Sequence, residues 1–135
     1  MKINHIGIAV ENIELAKKQF EELGFVLCGE VITDRERKIR IQYLSNDEYR
    51  IELVTPLGDG QASPVDRFIK KNQPYAMYHV CYEVDDMKEA VEQYKNKGYY
   101  LMEEPRVSLA MDGCKTAYLF QKNMGFIEFV EVVHS

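Results

Sequence analysis

The chain has 135 residues, of which 46% are hydrophobic, and its formal net charge is −5. This length provides one domain with a core of its own and leaves no room for two domains joined by a linker. The acidic balance argues against a nucleic-acid-binding surface, and three cysteines without a CxxC spacing argue against a disulfide framework or a zinc ribbon. The first ten residues lack the long apolar core of a signal peptide, so we expect a cytoplasmic protein that does not bind membranes.

The first predicted strand begins at about residue 5 and places His5 on one face and its apolar side chains on the other. The apolar positions of this strand are Ile6, Ile8 and Val10. A helix follows, with Asn12 as its N-cap and Gly24 at its C-terminal end. The apolar stripe of this helix consists of Ile13, Ala16, Phe20 and Leu23. The helix is therefore expected to cover the strand face that lies opposite His5.

Three further strands are predicted after this helix, at about 26–33, 38–45 and 48–55. In the last of them Glu52 lies on the face opposite Ile51 and Leu53, because successive side chains of a strand alternate between faces. Glu52 therefore points away from the helix, as His5 does. A Ser-Pro pair then predicts the start of a short linker helix at about 63–72.

The second half of the chain repeats this order of elements. Residues 79–101, which begin at His79, align without a gap with residues 5–27. Asp86 and Glu89 form a predicted capping box, and Gly98 ends the second helix. The apolar stripe of this helix is Met87, Ala90, Val91 and Tyr94. Strands are then predicted at about 99–104, 115–121 and 126–133, and the last of them carries Glu128 in the position of Glu52.

A repeat that spans the whole chain indicates an internal duplication of a strand-helix-strand-strand-strand unit. We therefore predict an α+β fold in which two tandem βαβββ modules form a curved, partly closed sheet around a metal site. The chain is interpreted as one domain over residues 1–135. Its parts are module one at about 1–56, the linker helix at about 63–72 and module two at about 76–135.

Four residues of metal-ligating type occupy repeat-equivalent positions on the faces turned away from the helices: His5, Glu52, His79 and Glu128. A single His at the start of a strand is more often an ordinary core residue, but a repeated His and Glu set favours a metal site. Two imidazoles and two carboxylates suit one divalent ion of iron, cobalt, nickel, manganese or zinc, with coordination positions left open for substrate oxygens.

With these positions in place, the chain resembles the vicinal oxygen chelate superfamily, which includes glyoxalase I, extradiol dioxygenases, bleomycin-resistance proteins and methylmalonyl-CoA epimerase. The resemblance covers nearly the whole chain. The segments IELVTPLG at 51–58, SPVDRFIKKN at 63–72 and MYHVCYEVDD at 77–86 are most similar to the epimerases. The chain departs from the epimerase pattern at Tyr78, where a second His is usual, and at 120–123, where a His-Pro loop is usual.

The resemblance implies a metal-dependent epimerase or isomerase that forms a metal-stabilised enolate, with Glu128 as catalytic base and Glu52 as its symmetry mate. It also implies paired βαβββ modules, a small-molecule substrate such as an acyl-CoA or another thioester, and a homodimer. Further candidates for orienting the substrate are Gln42, Glu83 and Tyr118. Three alternatives stay open: a glyoxalase I-like lactoylglutathione lyase, a metal-dependent tailoring enzyme, and a resistance protein that binds a small molecule.

Overall fold

The computed structural model describes residues 1–133, and these residues form two compact units. The first unit is His5–Tyr78, and the second consists of Met1–Asn4 together with residues from His79 onward. The strands Ile3–Val10 and Tyr75–Val84 therefore each contribute residues to both units, and each is described below with the unit that holds most of it. Residues 134 and 135, which the predicted second module includes, lie outside the described residues. Within the described residues, no helix is long and apolar enough to cross a membrane.

The first unit contains one helix packed on a four-stranded part of the sheet. The elements are β1 (Ile3–Val10), α1 (Ile13–Glu22), β2 (Val26–Asp34), β3 (Ile39–Ser45) and β4 (Arg50–Pro56). Their spatial order is β2-β3-β4-β1. Strand β1 runs parallel to β4, whereas β2, β3 and β4 pair antiparallel.

The second unit repeats this arrangement. Its elements are β5 (Tyr75–Val84), α2 (Met87–Asn96), β6 (Tyr100–Val107), β7 (Lys115–Gln121) and β8 (Gly125–Glu131), in the spatial order β5-β8-β7-β6. The start of the chain belongs here, because Glu83 N donates to Lys2 O at 2.9 Å and Asn4 Nδ2 donates to Glu83 Oε2 at 3.0 Å. The α+β class and the two βαβββ modules are confirmed, whereas the single-domain interpretation stays a prediction.

Both helices begin at the predicted N-caps, and the predicted glycine follows the C-cap of each. The side chains of Asn12 and Asp86 each accept a hydrogen bond of 3.0 Å from the backbone N–H three positions later. Gly24 and Gly98 then reverse the chain with φ values of 93° and 96°, a region that glycine enters without steric cost. The same capping chemistry therefore positions both helices.

Each helix packs on the sheet face that points away from the predicted metal ligands. The buried residues of the first core are Val10, Ile13, Leu44, Ile51 and Leu53. Those of the second core are Val84, Met87, Ala90, Val91, Ala117, Leu119, Ile127 and Phe129. Each fully buried aliphatic side chain contributes about 1.5–3 kcal/mol. The predicted stripe of α1 is wrong at Leu23, which is 73% exposed because the helix ends at Glu22 and Leu23 is its C-cap.

The last strand of each unit is tied to the start of its helix by a side-chain hydrogen bond. Thr55 Oγ1 donates to Glu11 O at 3.1 Å in the first unit. Glu131 Oε2 accepts from Met87 N at 2.8 Å in the second. The donor and acceptor groups of the two bonds differ. Both bonds nevertheless join the last strand of the unit to the start of its helix, and so fix the helix against that strand.

The predicted linker helix at 63–72 is wrong, because the structure has only a single 3-10 turn at Asp66–Phe68. The carboxylate of Asp66 accepts a hydrogen bond of 2.7 Å from Ser63 N, and Ile69 is extended with φ −105° and ψ 117°. Lys70 and Gln73 then exchange backbone hydrogen bonds of 3.0 and 2.9 Å. The bonds between Lys70 and Gln73 use backbone groups that a longer helix would need, so the helix stops after one turn.

Candidate functional site

His5 and Glu52 form a buried pair in the first unit. His5 is 1% exposed and Glu52 is 5% exposed, and His5 Nε2 lies 3.6 Å from Glu52 Oε2. His5 is on β1 and Glu52 is on the neighbouring parallel strand β4. Both side chains therefore leave the sheet on the face opposite the helix, as the alternation of the sequence predicted.

His79 and Glu128 form the equivalent pair in the second unit. Their exposures are 3% and 2%, and His79 Nε2 lies 3.3 Å from Glu128 Oε1. Strands β5 and β8 carry them with the same parallel pairing. The structure therefore brings the four predicted residues together as two buried pairs, one within each unit.

The strand register explains why each pair can form. Glu52 is paired with Gly7, and Glu128 is paired with Cys81. In each case the histidine lies two residues earlier on the same strand, and hence on the same face. Gly7 has no side chain, so nothing from that position separates the imidazole from the carboxylate.

A tyrosine completes each group. Tyr43 is paired with Glu52 across β3 and β4, and its hydroxyl donates a 2.6 Å hydrogen bond to Glu52 Oε2. The Tyr43 ring meets the His5 ring edge to face, with centroids 5.5 Å apart. In the second unit Tyr118 is paired with Glu128, and its ring lies edge to face with His79 at 5.3 Å.

Sequence reasoning proposed Tyr118 but missed Tyr43. A signal was present, because both tyrosines are followed by leucine and lie on the third strand of their repeat, in IQYL and TAYL. The gapless alignment of 5–27 with 79–101 ends before these strands, so the equivalence of the two tyrosines does not follow from it.

A positive charge lies on the same face of β4. Arg50 precedes Glu52 by two residues, and its guanidinium carbon lies 4.0 Å from the centroid of the Tyr43 ring. This distance is well within the range of a cation–π contact. The first unit therefore holds a cation on the tyrosine whose hydroxyl donates to the buried carboxylate.

Two of the residues predicted to orient a substrate have structural partners instead. Gln42 is paired with Leu53 and so faces the helix, and its Nε2 donates to Gly29 O at 3.0 Å and to Tyr43 O at 2.9 Å. The prediction that Gln42 shares the face of the metal ligands is therefore wrong. Glu83 accepts the hydrogen bond of Asn4 that joins the chain start to the second unit.

The two departures from the epimerase pattern both fall on aromatic contacts. The ring of Tyr78 lies 5.0 Å from that of Phe68, in the turn that follows β4. The ring of Phe120 lies 5.2 Å from that of Phe126, its partner across β7 and β8. Contacts between aromatic rings therefore occur at both departures.

The donor chemistry of the two pairs fits a divalent metal ion. Imidazole nitrogen and carboxylate oxygen are common ligands of first-row ions. In each unit one donor of each kind is buried and converges on the other, at 3.6 and 3.3 Å. Burial of a carboxylate is costly unless a cation or hydrogen bonds compensate it, and a bound ion would supply that compensation.

Comparison with known proteins gives a consistent set of relatives. The chain is 27% identical over 122 residues to the ethylmalonyl-CoA/methylmalonyl-CoA epimerase of Cereibacter sphaeroides, covering 90% of each protein. It is 28% identical over 124 residues to the human mitochondrial methylmalonyl-CoA epimerase, covering 92% of this chain and 69% of the human protein. The crystal structure of the Mycobacterium tuberculosis methylmalonyl-CoA epimerase shares the fold with a TM-score of 0.80 at 22% identity, covering 98% of this chain and 88% of that one.

The model of one protein family matches most of the sequence. The match extends over residues 4–118, from the strand that carries His5 to the strand that carries Tyr118. It therefore includes the whole of the first repeat and most of the second. On this evidence the chain belongs to the glyoxalase/bleomycin resistance protein/dioxygenase superfamily, also called the vicinal oxygen chelate superfamily.

Proposed function

We propose that this protein is a divalent-metal-dependent epimerase acting on methylmalonyl-CoA or a closely similar acyl-CoA thioester. The observation that carries the proposal is the repeated buried pair, His5 with Glu52 and His79 with Glu128. The relatives named as methylmalonyl-CoA epimerases support the choice of reaction, because the similarity to them extends over nine-tenths of this chain.

The four residues are proposed to bind one divalent ion together. A bound ion supplies positive charge that lowers the energy of the negative charge developing on a substrate carbonyl oxygen, so that a proton next to the carbonyl can be removed. Cobalt, nickel, manganese, zinc and iron all suit this donor set. Each of the four side chains is at most 5% exposed.

Glu128 is proposed as the base that removes the α-proton, with Glu52 as its counterpart on the other face of the substrate. Tyr43 donates at 2.6 Å to one oxygen of Glu52 and holds it in place. In one direction of the reaction Glu128 accepts the α-proton, and Glu52, which enters the step protonated, gives a proton to the opposite face of the enolate. The reverse direction exchanges these two roles, and proton exchange with water restores both side chains.

A homodimer and a cytoplasmic location remain predictions from the sequence and its resemblance. Gel filtration with light scattering measures the first directly, since a dimer of a 15.8 kDa chain has twice that mass.

The deciding experiment is deuterium exchange of the α-proton of methylmalonyl-CoA, with metal analysis of the same purified sample. We expect about one ion per chain, and exchange that stops on chelation and returns with cobalt. Metal without exchange would overturn the epimerase assignment, and the same sample is then assayed with methylglyoxal and a thiol for glyoxalase-like activity. A protein that binds no ion would contradict the metal-dependent mechanism.

A further inference from the structure

Arg50 places a permanent positive charge on the face of β4 that carries Glu52. Its guanidinium stacks on the Tyr43 ring at 4.0 Å, and the hydroxyl of the same ring donates to Glu52. One tyrosine ring therefore separates the cation from the buried carboxylate. Across residues 1–133 the Arg50 side chain makes no ion pair or hydrogen bond, so its N–H donors are available to an anion from outside the chain.

The second unit shows that the fold does not require an arginine at this position. Phe126 stands two residues before Glu128, as Arg50 stands two residues before Glu52. Phe126 is paired with Phe120 across the strands, whereas Arg50 is paired with Ser45. An aromatic pair and an Arg-Ser pair thus occupy equivalent places in the same strand pairing, and only the first unit carries the charge.

We propose that Arg50 binds the free carboxylate of the acyl group and makes the site selective for carboxyacyl thioesters over simple acyl thioesters. This inference rests on the proposed function and names the residue that reads its substrate. The planar guanidinium matches a carboxylate with two parallel hydrogen bonds, and stacking on Tyr43 fixes its orientation in advance. The carboxylate also lies close to the reacting centre of the substrate. It sits on the carbon that loses its proton, whereas the phosphates of CoA lie at the far end of the pantetheine arm.

The test is equilibrium binding by calorimetry to the metal-loaded protein, with malonyl-CoA and acetyl-CoA, which differ only in the carboxylate. Wild-type protein is expected to prefer malonyl-CoA. Arg50→Met is expected to weaken malonyl-CoA binding about 10- to 100-fold, the range for losing a charge-assisted hydrogen-bonded pair, and to leave acetyl-CoA binding unchanged. Arg50→Lys keeps the charge but loses the planar guanidinium. Its affinity for malonyl-CoA should therefore lie between those of the wild type and Arg50→Met.

Arg106→Met is the matched control, because Arg106 already pairs with Glu103 at 3.1 Å. This variant should leave the affinities for malonyl-CoA and acetyl-CoA unchanged. Thermal unfolding of each variant checks the fold. If Arg50→Met does not fold, the preference of Arg50→Lys for malonyl-CoA over acetyl-CoA is the deciding measurement. An unchanged preference for malonyl-CoA in the folded variant overturns the assignment. A loss with both CoA thioesters but not with malonyl-pantetheine shows that Arg50 reads phosphate, and this also overturns it.

The two proposals fail separately. If malonyl-CoA selectivity depends on Arg50 but methylmalonyl-CoA shows no exchange, the epimerase assignment falls and the role of Arg50 stands. If exchange occurs and selectivity does not depend on Arg50, the role of Arg50 falls and the epimerase assignment stands.

Discussion

Glu52 and Glu128 occupy equivalent positions in the two repeats, yet the chemistry around them differs. Each is paired with a tyrosine on the neighbouring strand, Tyr43 or Tyr118. Two residues before Glu52, Arg50 stacks on the Tyr43 ring, whereas two residues before Glu128, Phe126 packs on another phenylalanine. The repeat therefore supplies two like carboxylates, and the different residues beside them allow the two to take different roles.

Glu128→Gln is expected to reduce the rate of α-proton exchange by at least about 100-fold, because an amide cannot accept the proton. The thermal unfolding midpoint should change little, since the amide has nearly the same shape. Glu131→Gln is the control on the same strand, as its carboxylate binds the Met87 N–H at the helix start rather than the metal face. Exchange by Glu128→Gln at close to the wild-type rate would remove Glu128 from the role of base.

Tyr43→Phe is expected to lower metal affinity about 10-fold, because residues that orient a metal ligand typically contribute that much or more. The ring and its contact with His5 remain, so only the hydroxyl donor to Glu52 is lost. Tyr49→Phe, at a tyrosine that is 58% exposed, serves as the control. Affinity is measured by competition with a chromophoric chelator, and equal affinities for Tyr43→Phe and wild type would contradict the role given to the hydroxyl.

At the scale of single elements, helix boundaries were the most predictable feature. Asn12, Asp86, Gly24 and Gly98 all behave as their residue types demand, because capping depends on the nearest three or four residues. The prediction of a linker helix at 63–72 is wrong although it also starts from a local capping signal. Its start signal is real, since the carboxylate of Asp66 accepts from Ser63 N as in a capping box, but Ile69 is extended and Lys70 pairs with Gln73, so the helix stops after one turn.

Gly98→Ala is expected to lower the free energy of unfolding by about 1 kcal/mol, since alanine is strained at a φ of 96°. No heavy atom lies within 4 Å of the added methyl group, so the cost is conformational rather than steric. Glu92→Ala in the exposed middle of α2 should change the stability by less than about 0.5 kcal/mol. Urea denaturation measures both variants, and an unchanged midpoint for Gly98→Ala would show that the turn relaxes without cost.

The face of each strand was predictable where one face is apolar and the other is not. Alternation placed Glu52 and Glu128 correctly because their neighbours Ile51, Leu53, Ile127 and Phe129 are all apolar. Strand β3 lacks that contrast, because five of its seven residues are buried and they are distributed over both of its faces. The direction of Gln42 and Tyr43 follows only from pairing with β4, which the sequence of β3 alone does not encode.

For the whole molecule, the number of metal ions per chain tests whether the two units act as one site. If all four residues bind one ion, we expect about one ion per chain in the wild type. His5→Ala and His79→Ala should then each lose most of that metal, because each removes a ligand of the same ion. If each unit bound an ion alone, the wild type would hold two and each variant would keep one. Plasma emission spectrometry of the dialysed proteins distinguishes these results.

The hydrogen bond between Glu83 N and Lys2 O sets an order of events during synthesis. Lys2 emerges from the ribosome long before Glu83, and at about 5–20 residues per second the interval is roughly 4 to 16 seconds. Through that interval Met1–Asn4 have no partner from the second unit, whereas the rest of β1 can pair with β4 as soon as Pro56 has been made. Strand β1, which carries His5, therefore forms its backbone hydrogen bonds in two stages. The second stage follows the synthesis of β5, which carries His79.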